Sequence, residues 1–309
     1  MSKSFTLIGI LVVIVVIGVL SAFILVGMSS ITSKANIAKG QAFVNSINNS
    51  LLISRVSQWK FDEASGTTAY DSWNSNNGTL SGATTPAIQT SGCVSNNCLY
   101  LNGTTAYVNV VNVNNLKSSA GTISLWFKWT LNGYNVVFSF TDKDAAVKFM
   151  QIGLGNWTGS YSDESIGFYY YGASIIEFYY RAGHYFYRDN NWHNVTMTIG
   201  ADYNYMYIDG QKLTNLTYNS GNASSGGVFS NYVDFDNFDI GSRLLSTGRD
   251  SYFGGYLDEI KIYNQAVPTS EIQQNYFMGL NNIYKNNGIV SVEFNQRIIE
   301  LKSNIANNE

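Results

Sequence analysis

Histidine, cysteine and proline each occur only twice in this chain, and the stretch from Met1 to Lys60 contains no acid at all. A serine or cysteine nucleophile needs a histidine base. His193 belongs to a strand-like Trp192-His phrase and His184 sits among tyrosines, so both read as structural and no enzyme activity is expected. Two cysteines, with both histidines far away in sequence, do not make a structural zinc site. The same N-terminal stretch holds Lys3, Lys34, Lys39, Arg55 and Lys60, which leaves the remainder with a net charge of −8. A basic root and an acidic bulk fit a protein held near anionic lipid with most of its mass in solvent. The acidic bulk argues against nucleic acid as a partner. Aromatic residues, by contrast, are dense, with 22 Tyr and 17 Phe.

Phe5 to Met28 is an unbroken run without a charge. As a helix it would be roughly 36 Å long, enough for a bilayer core of about 30 Å. A secretory signal has a shorter apolar core followed by a small-residue cleavage site. Ile31, Ala35, Ala38, Ala42, Phe43, Ile47, Leu51 and Val56 continue at helical spacing. The pattern predicts one long transmembrane and stalk helix over residues 5–57, apolar all round at first and amphipathic later.

The polar leader Met1-Ser-Lys-Ser4, followed by Phe5-Thr-Leu-Ile, resembles the class III signal of type IV pilins and pseudopilins. The resemblance implies processing between Ser4 and Phe5 and self-assembly into a filament through residues 5–57. It also implies prepilin peptidase and the pilus assembly machinery as partners. Two positions depart from the family. The leader usually ends in glycine, here Ser4, and the fifth mature residue is usually glutamate, here Gly9. The second departure weakens a main-subunit role more than a tip role. An ordinary uncleaved signal anchor is the alternative.

From Trp59 the hydrophobic period changes to 2. Ile123, Leu125, Phe127 and Trp129 recur at every second position, as do Val195, Met197 and Ile199. Asp209-Gly210 between alternating runs predicts a two-residue hairpin. Many short strands with Gly, Asn and Ser turns mean a β-sandwich or jelly roll. Pro268-Thr-Ser-Glu271 starts a helix, capped by Thr269 or Ser270, that stops at Asn286-Asn-Gly288. Residues 289–309 form a further amphipathic helix, expected to pack on the stalk.

Eight phrases carry a second resemblance. They are Trp59-Lys-Phe-Asp-Glu, Leu99-Tyr-Leu-Asn-Gly, Ile123-Ser-Leu-Trp-Phe, Trp192-His-Asn-Val, Met206-Tyr-Ile-Asp-Gly, Phe238-Asp-Ile-Gly, Gly255-Tyr-Leu-Asp-Glu-Ile-Lys-Ile-Tyr and Val267-Pro-Thr-Ser-Glu-Ile. In this order they resemble a laminin-G-like, concanavalin-A-type jelly roll over about residues 57–280. Such domains bind sugars, proteins or nothing known. Hydrolases of that fold carry Glu-x-Asp-x-x-Glu or Glu-x-Asp-x-Glu on one strand, and neither pattern occurs here.

Three sets of residues are candidate sites. Cys93 and Cys98, five apart in a Gly/Ser/Asn turn, read as a local disulfide in an exported domain. Asp258 shares alternation with Ile260 and Ile262 and so points to the core side, where a carboxylate needs a cation or several N–H donors. With Asp71, Asn74 and Asn76 it would supply the hard oxygens of a structural calcium site, which the laminin-G resemblance also implies. Local turns at Asp71 and amide capping by Asp258 explain the same residues, and the sequence leaves both open. Seven sequons, at Asn48, Asn77, Asn102, Asn156, Asn194, Asn215 and Asn222, permit glycosylation without indicating it. The eleven Tyr and Phe of residues 161–187 read as packed strand aromatics ahead of a sugar-stacking surface.

The expected fold class is therefore α+β, a long N-terminal pilin-type helix followed by an antiparallel β-sandwich and short C-terminal helices. The expected domains are a leader (1–4), a stalk helix (5–57), a jelly-roll head (58–280) and a helical tail (281–309). The expected function is a pilus-like surface filament subunit, held in the cytoplasmic membrane before assembly, whose lectin-like head adheres to a carbohydrate or cell-surface ligand. The alternative is a membrane-anchored lectin-like module that does not polymerise.

Overall fold

The computed structural model describes residues 14–16, 54–82, 87–89, 91–110, 120–131, 133–155, 165–172, 174–181, 187–226 and 235–306. Alternating apolar residues build two large antiparallel sheets. The first runs in the order β14 (Gln211–Lys212), β13 (Asn204–Ile208), β12 (His193–Ile199), β7 (Gly121–Trp129), β19 (Gly254–Tyr263), β5 (Cys98–Asn102) and β4 (Ala87–Gln89), with β1 (Arg55–Trp59) also paired to β19. The second runs β15 (Thr217–Ser220), β11 (Ile175–Arg181), β10 (Ser165–Tyr171), β9 (Phe149–Leu154), β8 (Asn135–Thr141), β16 (Asn237–Ile240), β6 (Tyr107–Val110), β3 (Gly78–Ser81) and β2 (Thr68–Ala69). A hairpin of β17 (Arg243–Leu245) and β18 (Gly248–Asp250) is separate.

The core lies between the sheets. Leu125 faces Val195 and Ile123 faces Met197 across β7 and β12, and all four are fully buried. From the second sheet, Phe138, Phe140 and Phe238 close the core with ring centroids 4.7–5.2 Å apart, the spacing at which aromatic pairs attract.

The other face of the first sheet is covered by two helices, α1 (Thr269–Lys285) and α2 (Ser291–Ala306). Trp126 stacks on Tyr276 at 5.4 Å. A Cβ on Gly279 would lie 2.4 Å from the Trp126 ring, so only glycine lets α1 come this close. Cys93, Cys98, Trp192, Leu280, Ile283 and Leu301 complete this second core. The expected cap at the start of α1 is replaced: Pro268 takes the position, and Thr269 meets the Tyr207 hydroxyl at 2.8 Å instead. The helix stops where expected. Asn287 is left-handed (φ 57°), Gly288 N–H donates to Ile283 O and Asn287 N–H to Tyr284 O, which is a Schellman motif.

The expected fold class is corrected by these elements. The described residues are a mostly antiparallel β-sandwich with short helices, and among them no helix is long and apolar enough to cross a membrane. The end of the expected stalk is a strand: β1 pairs with β19, Trp59 opposite Ile260 and Ser57 opposite Ile262. Tertiary pairing overrides the helical period that Leu51 and Val56 had continued. The rest of the expected 5–57 helix lies outside the described residues, apart from residues 14–16 and Ser54, which are helical. The Ser4–Phe5 junction also lies outside them. The tail helix α2 packs on the sandwich, through Leu301, Phe294 and Ile298.

Candidate functional site

The calcium candidates fall on opposite sides of β1. Asp71 bridges to Trp59 on one edge, and Asp258 lies in β19 on the other. Asp71 accepts N–H bonds from Gln58 (2.9 Å), Trp73 (3.0 Å) and Asn76 (3.2 Å). Asp258, fully buried, accepts from Val94 (2.9 Å), Ser95 (3.0 Å) and Glu259 (2.8 Å). Asn74 bonds the next residue's N–H, and buried Asn76 donates to Ser57 Oγ at 2.6 Å and leaves its Oδ1 alone unpaired. Amide N–H groups compete with a cation for the same lone pairs, so this donor set fits amide capping and does not fit calcium. Among the described residues no three His, Cys, Asp or Glu side chains gather into a metal-binding group.

The facing of Asp258 is corrected too. A bulge interrupts the β19–β7 register between Asp258 and Lys261, with Glu259 at φ 49°. The extra residue reverses the alternation. Leu257, Ile260 and Ile262 therefore share the inner core, while Asp258 lies opposite Trp126 on the outer face. There it holds the loop closed by the Cys93–Cys98 disulfide.

The sequons divide by environment. Asn194 is buried in β12 and donates to Leu125 O, so it accepts no glycan in the folded state. Asn102 holds three N–H groups of its own loop, whereas Asn77, Asn215 and Asn222 are exposed. Asn48 and Asn156 lie outside the described residues, as does His184. In the aromatic segment, Phe168, Tyr170 and Phe178 are buried in the sandwich, as packed strand aromatics.

A site that the sequence did not single out forms beside the β13–β14 hairpin. Asp209 and Gly210 both have positive φ (51° and 73°) and Ile208 pairs with Gln211, the two-residue turn that Asp-Gly predicts. That turn hangs Asp209 over the start of β12. Its Oδ1 accepts from Asn194 N–H at 2.8 Å, and its Oδ2 lies 2.7 Å from His193 Nδ1. Asp189 Oδ1 lies 3.2 Å from His193 Nε2 and also accepts from Asn191 N–H at 2.8 Å. Two carboxylates facing both ring nitrogens require an imidazolium, because only that form donates twice. Burial opposes the charge, but Asp209 and Asp189 outweigh it and raise the His193 pKa to about 9. Burial likewise opposes the Asp189 charge, and the His193 bond prevails, lowering its pKa to about 2.

The wall opposite comes from the helices. Arg297 of α2 donates to Trp192 O at 2.7 Å and pairs with Glu293 at 2.8 Å. Together with Tyr187, Tyr276, Gln296 and Glu300, these residues enclose a cavity of about 630 Å³. That is the size of a small-ligand site. Tyrosyl, acidic and neutral polar side chains dominate its lining, beside two ion-paired cations (His193 and Arg297) and the apolar Ile208 and Leu213, and the polar majority suits hydroxyl-rich ligands.

Residues 102–273 match the concanavalin A-like lectin/glucanases superfamily (Laminin_G_3), more than half of the chain. The chain belongs to this superfamily. No protein of curated function matches it. Among solved structures, domain 4 of AbnA, a GH43 extracellular arabinanase from Geobacillus stearothermophilus, in complex with arabinotriose, is 19% identical. The similarity covers 72% of this chain and 97% of that domain, with a TM-score of 0.50. The binding domain of Paraclostridial Mosquitocidal Protein 1 is 18% identical over 75% of this chain and 53% of its own length, with a TM-score of 0.53. The botulinum neurotoxin serotype D binding domain is 12% identical over 74% of this chain and 52% of its own length, with a TM-score of 0.50. The chain thus spans about half of these toxin domains. At such identities they show the fold. The superfamily match begins at residue 102, so the pilin-like resemblance of the leader and stalk finds no support here.

Proposed function

We propose that this superfamily member is an exported carbohydrate-binding module without catalytic activity, and that its ligand occupies the cavity between the Asp189–His193 loop and α2. The single observation that carries the reading is the cavity itself. It is a preorganised polar pocket whose acceptors, Asp189, Asn191 and Gln296, stand beside tyrosines, and a buried imidazolium holds its floor. Sugar hydroxyls donate and accept at once, and such a mixed lining satisfies both functions. The jelly-roll fold, shared with an arabinanase domain seen with arabinotriose, supports the same ligand class. The absent paired-carboxylate pattern supports binding without hydrolysis, and the Cys93–Cys98 disulfide supports export.

Binding of the full chain to a glycan array tests this. The reading expects a selective set of bound oligosaccharides and a loss of about tenfold or more in the Asn191→Ala, Gln296→Ala double variant, the cost of a few hydrogen bonds. Equal binding by that variant, with its melting temperature retained, would place the ligand elsewhere.

A further inference from the structure

We infer that the pocket takes glycans without acidic groups, and that Glu293 and Asp189 impose this selectivity by engaging both of its cations. The inference rests on the carbohydrate reading and adds the charge class of the ligand. A sugar carboxylate is ordinarily recognised by a guanidinium fork or an ammonium left free to meet it. Among the described lining residues the cations are Arg297 and His193, set against the carboxylates of Asp189, Asp209, Glu293 and Glu300.

Neither cation is available. Arg297 Nη2 sits 2.8 Å from Glu293 Oε1, and its Nη1 donates to Trp192 O at 2.7 Å. His193 is 4% exposed, with each ring nitrogen facing a carboxylate. An incoming carboxylate would therefore meet two unbalanced negative charges, whereas neutral hydroxyls would find acceptors in Asp189 and Glu300 and donors in Asn191 and Gln296.

One half of the device, the Arg297–Glu293 pair, belongs to the tail. Glu293, Gln296, Arg297 and Glu300 recur at helical spacing along one face of α2 and all line the cavity. They lie beyond residue 273, where the superfamily match ends.

The test uses an array of neutral arabinose, xylose, glucose and galactose oligosaccharides, each printed beside a uronate- or sialate-bearing counterpart. The wild-type full chain should bind its neutral ligands at least about tenfold more tightly than their acidic counterparts, since like charges brought together at an interface are strongly disfavoured. Glu293→Gln removes the negative charge set against Arg297, and Asp189→Asn removes one of the two set against His193, while each amide oxygen can still accept a hydrogen bond. Each should shrink the neutral-to-acidic ratio about threefold or more, and the second variant keeps the test open where the first fails to fold. Acidic glycans bound as tightly as neutral ones by wild type, or a ratio unmoved in both folded variants, would overturn the inference while leaving the carbohydrate reading intact. Binding to no glycan at all would overturn that reading and this inference with it.

Discussion

Replacing His193 by glutamine should remove a pH-dependent part of the head's stability whose sign and window follow from the structure. The imidazolium lies between Asp209 and Asp189, and its pKa is raised from the ordinary 6.5 to about 9. A raised pKa means that the native state holds a proton which the unfolded chain has lost. The stabilisation is therefore complete below about pH 6.5, declines as pH rises, and is gone above about pH 9. The difference corresponds to about 3 kcal/mol at most, or about 6–12 °C in melting temperature for a domain of this size. Other groups titrate alike in wild type and variant and cancel in the difference between them, and both cysteines are in a disulfide. Denaturant unfolding of wild type and His193→Gln at pH 6 and pH 9.5 would measure it. The stability gap between the two proteins should be wide at pH 6 and narrow by about 2–3 kcal/mol at pH 9.5. A gap of the same size at both pH values would refute the ion-paired imidazolium.

Asp258→Ala should cost about 2–3 kcal/mol by leaving the Val94 and Ser95 amides without their acceptor, and calorimetry should find the same loss with calcium and with chelator. Gly279→Ala should lower the melting temperature, because the added Cβ meets the Trp126 ring at 2.4 Å. Overpacking of about 1–3 kcal/mol outweighs the gain in helix propensity of about 1 kcal/mol, and tryptophan fluorescence should report the displaced ring. A chain beginning at Ser54 should fold to a β-rich domain by circular dichroism. One beginning at Lys60 should not, since it lacks β1 and leaves the end of β19 paired on one edge only, with β7.

The sheet core was legible because it depends on local alternation. Ile123, Leu125, Val195 and Met197 reach their faces by a period that any window of the sequence shows, and Asp209-Gly210 announces its own turn. Asp258 was misplaced because one left-handed residue, Glu259, reverses the alternation, and a glutamate carries no signal for that conformation. β1 was hidden because so short a strand, following a long helical pattern, takes its identity from β19 near the other end of the chain. The pocket was illegible for a related reason. Its lining comes from Tyr180, residues 187–193, the Asp209 hairpin and the two C-terminal helices, which are brought together only by the folded sheet. One clue was present. In Asp189-Asn-Asn-Trp-His193 a turn-forming aspartate stands just ahead of a strand histidine, which places carboxylate and imidazole together once the strand pairs.

The central claim is that the ligand sits between the Asp189–His193 loop and α2, and a crystal structure of the chain with an array-selected oligosaccharide tests it most directly. The account predicts sugar density against Tyr187, with hydroxyls bonded to Asp189, Asn191 and Gln296 and the Arg297–Glu293 pair unbroken. A sugar bound on the outer face of the second sheet, or at the Asp71 loop, with this cavity holding only water, would contradict it.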